Sequence, residues 1–356
     1  MNIGLTYNLK KDCSSSDEEP PSKFIDSEAE WDDQETIDAV REALAVHHNV
    51  TLIEANDTAY EKLLQHRAKL DIVFNMAEGM NGVSREAQIP AMLEFLGYRY
   101  TASDPLTLTL CLDKARTKEI LSYYQIPTAR FSSVIGWNGV PHSAPRNGLN
   151  GTNGLNRLKY PLIVKPLHEG SSKGIFNDSV VRSRAALRDT IMRVVEQYQE
   201  PAVIEEFLPG REFTVAILGN GDDARTLPMV EICFDHLPEG ANPVYSYEAK
   251  WVWDRPSAPL KIFECPADIN EELRAEIERI CLRAYKVLGC RDWCRIDVRL
   301  DEQDRPHILE LNPLPGILPN PEDNSCFPKA ARAAGMSYVQ LINCALETAL
   351  RRYGLI

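Results

Sequence analysis

With 356 residues, 44% of them hydrophobic and 26% charged, the chain has the composition of an ordinary globular protein and the length for about two to three domains, which excludes collagen-like, coiled-coil and wholly disordered classes. Thirty-nine Lys and Arg against 52 Asp and Glu leave a net charge of −13, which offers no basic field for nucleic acid or an anionic membrane surface. No apolar run reaches the roughly 18 residues that span a bilayer, and the N-terminus lacks the charged, apolar and small-residue order of a secretion signal, so a cytoplasmic location is expected. Nine cysteines, set mostly in apolar segments, suit reduced core thiols; Cys290 and Cys294 lack the second ligand pair of a zinc site.

Asn2–Tyr7 reads as a short buried strand, and residues 14–21, rich in serine, acid and proline, as a mobile excursion that returns to the sheet near Trp31. The spacing of Ile37, Val40 and Leu44 predicts a helix, residues 50–53 and 70–74 predict strands, and Ser84 stands where it would cap a helix carrying Ile89, Met92 and Leu96. Strands alternating with helices imply a parallel α/β sheet, and this first unit is expected to span 1–104. Residues 106–124 carry one long helical pattern, 126–134 read as a strand, and the Asn- and Gly-rich tract 147–156 reads as a loop. A strand at 162–166, a loop at 168–174, a helix at 185–198 and a strand at 203–207 complete a second unit, 105–208. The third, 209–356, opens with a strand at 212–218 and contains a helix capped by Asn270, with Leu273, Ile277, Ile280 and Ala284 as its buried stripe and Gly289 at its end.

Residues 294–312 are two alternating runs around a polar turn, the pattern of a β-hairpin. With the turn centred between Gln303 and Asp304, Arg295 faces Asn312, Ile296 faces Leu311, Asp297 faces Glu310 and Val298 faces Leu309. Partners about 5 Å apart at Cβ would gather two carboxylates, an amide and a guanidinium on one face. Such oxygen ligands suit Mg²⁺; an exposed polar face with a surface Arg–Asp pair is the alternative. The rigid run from Pro313 to Ile317, in which Gly316 can bring a bare backbone N–H close to a ligand, favours a site. Residues 164–174, a strand feeding a loop of Gly, Ser and Lys, offer donors for a polyphosphate, with an ordinary flexible loop as the alternative. There is no Walker A motif, and Gly219-Asn220-Gly221 lacks the third glycine of a dinucleotide fingerprint and reads as a turn.

Taken together, Lys114, Lys165, the run from Glu169 to Ser172, the segment 205–212, the run from Tyr247 to Lys250, Arg295-Ile296-Asp297 and Glu310-Leu311-Asn312 resemble the ATP-grasp fold and, within it, the D-alanine–D-alanine ligases, over most of the chain. The resemblance implies an α/β protein in which an ATP-grasp fold follows an N-terminal parallel α/β domain. It implies an ATP-dependent ligase that joins two amino acids through an acylphosphate. In that resemblance Lys114 and Lys165 are the phosphate and adenine-side lysines. Glu169, Gly170 and Ser172 belong to the loop over the nucleotide; Glu205, Phe207 and Leu208 read adenine, and Glu212 holds the ribose. Lys250 is the γ-phosphate lysine, Asp297, Glu310 and Asn312 hold two Mg²⁺ ions, Arg295 and the Gly316 N–H stabilise the tetrahedral centre, and Ser171 lies next to the first substrate. The implied partners are ATP and amino acids; a homodimer is compatible with the composition, although no leftover apolar stripe marks an interface.

Three segments depart from the ligase pattern. Phe74-Asn75-Met76-Ala77-Glu78-Gly79 replaces a His-Gly pair followed by an acidic loop, Trp251 replaces a tyrosine after the lysine, and the segment 318–325 is longer, with Ser325 set against the serine that holds the second substrate's carboxylate. The first substrate's ammonium needs a carboxylate from the first unit. Glu30 is the choice, with Glu28 and Glu78 as alternatives, and an acid merely solvated within an acidic run is the competing reading. His168 and Lys173 are expected to be solvated, and Arg299 stands where relatives prefer an apolar residue under adenine. Because an indole cannot accept a hydrogen bond, Trp251 predicts a first-substrate pocket held more by packing and a poor response to D-alanine. A ligase for a different amino acid or peptide, and a nucleotide-binding module without catalysis, are the alternatives to a D-alanine ligase.

Overall fold

The structure, a computed structural model, describes residues 1–10, 30–136, 155–254 and 260–356; the excursion expected at 14–21, Glu28 and nearly all of the tract 147–156 lie outside the described residues, as does the Trp251 side chain. Three sheets follow one another along the chain. In the first, strand Asn2–Tyr7 lies between Asn49–Glu54 and Ile72–Asn75, all parallel. Its strands are short apolar runs because both faces are covered. Helix Gln34–Ala45, with Val40 and Leu44, packs on one face over Ile3, Leu5 and Phe74, while Leu63 of Ala59–His66 and Ile89 and Leu93 of Gln88–Leu96 pack on the other over Ile53 and Val73. The chain leaves this sheet at Leu9 and re-enters at Asp32, which bridges Leu9 in parallel, as the expected return near Trp31 requires.

The second sheet is antiparallel and runs Phe131–Val134, Ala202–Glu206, Leu162–Pro166, Val180–Val181, with helix Arg184–Tyr198 burying Leu187, Ile191 and Val194 against it. The third has six strands: Phe263–Glu264, Val230–Ile232, Glu212–Leu218, Trp293–Leu300 and Pro306–Asn312 in sheet order, with Arg225–Thr226 also paired to Glu212–Leu218. Helix Glu271–Val287 covers one face through Ile277, Ile280 and Ala284, and Asn270 caps it by accepting from the Leu273 N–H at 2.8 Å. Helices Cys326–Ala333 and Tyr338–Arg352 cover the other face and share one core with the first sheet. Trp293 sits at that junction, edge-on to Phe74 at 5.5 Å and to Phe327 at 5.7 Å.

Three expectations change. The helical pattern at 106–124 is two helices, Pro105–Leu112 and Lys114–Tyr123, because Asp113 turns extended (ψ 97°) and caps the second by accepting from the Arg116 N–H at 2.9 Å. An aspartate competes for backbone donors and prefers a cap to a helix interior. Ser84 makes no cap hydrogen bond; the short turn Arg85–Ala87 leads into Gln88–Leu96 instead. In the hairpin the pairing holds from Arg295–Asn312 to Asp297–Glu310, then a bulge shifts it, so Val298 faces Ile308 and Leu309 is the extra residue, lining a cavity. All eight described cysteines are free thiols, and no described helix is long and apolar enough to cross a membrane.

One buried carboxylate joins distant stretches. Asp292, 0% exposed, accepts from the Ala102 N–H at 2.8 Å, from Asn220 Nδ2 at 2.7 Å and from Arg352 Nη2 at 2.8 Å. Arg352→Met leaves that charge buried without its cation and is expected to cost about 3 kcal/mol. The readout is a lower urea midpoint at unchanged slope; an unmoved midpoint would show that the pair contributes nothing net.

Candidate functional site

The hairpin places its chemistry on one face because Ile296, Val298, Ile308 and Leu311 bury the other. Arg295 donates to Asp297 twice, Nε to Oδ1 at 3.0 Å and Nη2 to Oδ2 at 2.9 Å, and lies 3.8 Å from Glu310. Asn312 Nδ2 approaches Asp297 Oδ2 at 3.4 Å. The two facing carboxyls are driven apart in acidity. Burial raises the Asp297 pKa to about 6 against the pull of Arg295. Burial works the same way on Glu310, but Lys114 and then Arg295 outweigh it and hold the pKa at about 2. Two carboxylates that repel each other when ionised and a neutral amide oxygen fit a hard divalent cation such as Mg²⁺.

Around this pair lie buried lysines. Lys114, at the start of the helix that Asp113 begins, donates to the Glu169 carbonyl and lies 4.0 Å from Glu310. Glu205 meets Lys118 at 3.2 Å and Lys165 at 3.5 Å; burial favours its neutral form, but the two cations keep its pKa low. Lys250, on the helical turn Glu248–Trp253, has its pKa pushed down to about 8 by burial and then by Arg295. Glu212 pairs with Arg299 at 2.8 Å, yet burial still raises its pKa. The Arg299 guanidinium lies over the rings of Phe207, at 4.7 Å, and Phe234, at 5.0 Å. Within this pocket Glu205 Oε1, Thr214 Oγ1 and two Arg299 nitrogens are buried with no hydrogen-bond partner among the described residues, a set of groups for a bound molecule to satisfy.

The loop after strand Leu162–Pro166 is tied to the first unit by charge. Glu30 Oε1 accepts from the Gly170 N–H at 2.7 Å and from Arg85 Nη2 at 2.8 Å, and Oε2 accepts from Arg85 Nε and from Lys173 Nζ, both at 3.1 Å. Arg85 also meets Glu169 at 3.2 Å, and Lys173 pairs with Glu169. Burial works against the Glu30 charge, but Arg85 and then Lys173 lower its pKa below the usual carboxylate range. Gly170 is required by this contact: a Cβ there would stand 2.6 Å from Glu30 Oε1. Ser171 and Ser172 hold left-handed φ values of 51° and 61°, uncommon for residues with a side chain, and Ser172 Oγ donates to the Tyr245 carbonyl at 2.8 Å.

Two cavities meet at the hairpin. The larger, about 570 Å³, is walled by Lys165, Glu205, Phe207, Leu208, Glu212 and Asp297, with Ser172, Arg299 and Ser325 also on its surface. The smaller, about 110 Å³, is walled by Glu78, Glu86, Lys114, Trp293 and Asn312. Glu30, Glu169, Gly170, Ser171, Lys250, Arg295, Glu310 and Gly316 line both. Every described residue that the sequence marked for the site therefore borders one cavity or the other. A side chain at Gly316 would meet nothing within 4 Å, so the protein's own packing does not demand glycine there.

Two expectations are overturned. His168 and Lys173 are not solvated: His168 is 4% exposed and lies 3.0 Å from Glu200, and Lys173 is 6% exposed in the Glu30 clasp. Sequence reasoning also missed Arg85 and Lys118. Lys118 follows Lys114 by one helical turn, a spacing that places both on one face, and that was its available signal. Arg85 had none, because its partners lie 55 and 84 residues away.

Residues 129–347 match the family model of the D-ala D-ala ligase C-terminus. A protein of Sinorhizobium fredii described as uncharacterized protein y4sG is 36% identical over 282 residues, 79% of this chain and 75% of that one. The D-alanine–D-alanine ligase of Bordetella petrii is 35% identical over 274 residues, 77% of this chain and 74% of that one, and that of Haemophilus ducreyi is 33% identical over 313 residues, 88% and 91% of the two chains. The crystal structure of the Bacillus anthracis D-alanine–D-alanine ligase complexed with ATP superposes with a TM-score of 0.70 at 23% identity, covering 100% of this chain and 99% of that one. That likeness establishes the fold as the ATP-grasp fold behind a parallel α/β unit.

Arg85 is the hub of the loop clasp. Arg85→Met leaves Glu30 and Glu169 sharing one lysine, and amide exchange over residues 169–173 is expected to speed up roughly tenfold, the effect of about 1.4 kcal/mol. Unchanged protection would mean that the clasp does not hold the loop.

Proposed function

This chain belongs to the D-alanine–D-alanine ligase family, and we propose that it is an ATP-dependent carboxylate–amine ligase that forms a peptide bond between two amino acids through an acylphosphate. The observation that carries the reading is the position of Glu310, Arg295 and Lys250 where the two cavities join, with Asp297 paired to Glu310 on the side of the larger one. A nucleotide in the larger cavity would present its terminal phosphate there to a carboxylate held in the smaller. Loss of any of these four residues would have favoured a binding module without catalysis, and all four are present.

The roles follow from charge and position. Lys165, Glu205, Phe207 and Leu208 bind the adenine end, Glu212 the ribose, and Lys114, Glu169, Gly170 and Ser172 close over the phosphates. Asp297, Glu310 and Asn312 would hold two Mg²⁺ ions, which supply positive charge to the transferring phosphoryl group. Lys250 donates to the γ-phosphate, lowering the barrier to attack by the substrate carboxylate. Arg295 and the Gly316 N–H then stabilise the tetrahedral oxyanion formed when the amine attacks, and phosphate leaves. Ser171 lies beside the first substrate and Ser325 beside the second. The clasped loop excludes water that would hydrolyse the acylphosphate.

Two measurements test this reading. Glu310→Gln removes a charge without removing volume, so phosphate release with ATP, Mg²⁺ and paired amino acids is expected to fall about 100-fold or more while the thermal transition persists; wild-type release would take the hairpin out of the reaction. Lys250 is charged below a pKa of about 8 and neutral above it, so kcat/KM for ATP should decline as pH rises through that value. A profile flat to pH 9.5 would remove Lys250 from nucleotide binding in the free enzyme.

A further inference from the structure

The smaller cavity is lined by two chemically opposite sets of groups. One carries donors: Lys114, Lys250, Arg295 and Trp293, which is 1% exposed and whose indole N–H meets no acceptor among the described residues. The other carries carboxylates, Glu78 from the segment after strand Ile72–Asn75 and Glu86 from the turn Arg85–Ala87. Neither Glu78 nor Glu86 has a hydrogen bond or an ion pair among the described residues, although both are half-buried and desolvation raises the pKa of each. Glu30 does not relieve them, because Arg85, Lys173 and the Gly170 N–H already take both of its oxygens.

On the ligase reading, which this inference rests on, the donor wall receives the substrate carboxylate and the acidic wall its ammonium. One α-ammonium compensates one carboxylate. With an aliphatic neutral side chain, the second would remain desolvated beside a methyl group, an arrangement that is disfavoured or forces a proton onto the acid. A cation on the substrate's own side chain meets it without that penalty, and the unpartnered indole N–H offers a donor to the carboxylate. We infer that the carboxylate substrate activated by this enzyme is a small diamino or guanidino acid, its α-ammonium and side-chain cation held by Glu78 and Glu86.

The test compares substrates that differ only in that cation. Phosphate release from ATP is measured with 2,4-diaminobutyrate against 2-aminobutyrate and with ornithine against norvaline, D and L forms of each, alone and paired with alanine. The expected result is a kcat/KM at least ten times higher for the diamino member of a pair, and a loss of at least tenfold in that ratio in Glu78→Gln or Glu86→Gln. The wild-type comparison does not depend on either variant folding. Norvaline or 2-aminobutyrate used as well as its diamino counterpart would overturn the inference and leave the ligase reading standing. Release with no amino acid of the panel would overturn both.

Discussion

The structure is organised around two carboxylates that ought to repel each other. Asp297 and Glu310 face each other across the hairpin as the last pair in register before the bulge. Buried like charges about 5 Å apart persist only if cations surround them or if one takes a proton. Cations are the main device, and the repulsion shows in the acidities: Asp297 rises to a pKa of about 6, so that it is the first of the two to take a proton as pH falls, while Glu310 is held at about 2. The cations come from three directions, Arg295 on the hairpin itself, Lys114 from the helix that Asp113 starts, and Lys250 from the turn Glu248–Trp253. The register cannot slip to relieve the strain, since a one-residue shift would carry the carboxylates into the core occupied by Ile296, Val298 and Leu311.

This constraint gives a reason for the break in the helix at Asp113. The extended Asp113 restarts the helix with Lys114 as its first residue, 6% exposed and in reach of both Glu310 and the Glu169 carbonyl. Lys118, one turn on and fully buried, then reaches Glu205 from the same face. A local capping preference thus positions two lysines at two different parts of the pocket.

What could be read from the sequence and what could not divides along the range of the interactions. The parallel first sheet, the helix capped by Asn270 and the facing of Asp297 with Glu310 follow from periodicity, capping and pairing within short windows, and all three are as expected. The bulge after Asp297 was not legible, because the alternating pattern carries no mark of the extra residue that turns Leu309 toward a cavity. The burial of Lys173 and His168 was not legible either. Both look like solvated loop residues until Glu30, Asp113 and Glu200 arrive from elsewhere in the chain to pair with them.

The same division separates the two ends of the site. At the end proposed to hold the nucleotide the charges are largely matched within the protein: Glu205 by Lys118 and Lys165, Glu212 by Arg299, Glu310 by Lys114 and Arg295. Such a pocket can be preformed at modest cost, since each buried charge already has a partner before the ligand enters. At the substrate end Glu30 is spent on holding the loop, and Glu78 and Glu86 are left without partners among the described residues. A buried acid with no partner is tolerated when a ligand completes it or when it stays protonated, and burial does raise the Glu86 pKa to about 8. Those acids come from sites up to 56 residues apart, between Glu30 and Glu86, and only folding brings them to one wall. Short motifs can therefore announce the end with matched charges, whereas the unbalanced charge at the other end exists only in the folded chain, and the proposed choice of amino acid rests on it.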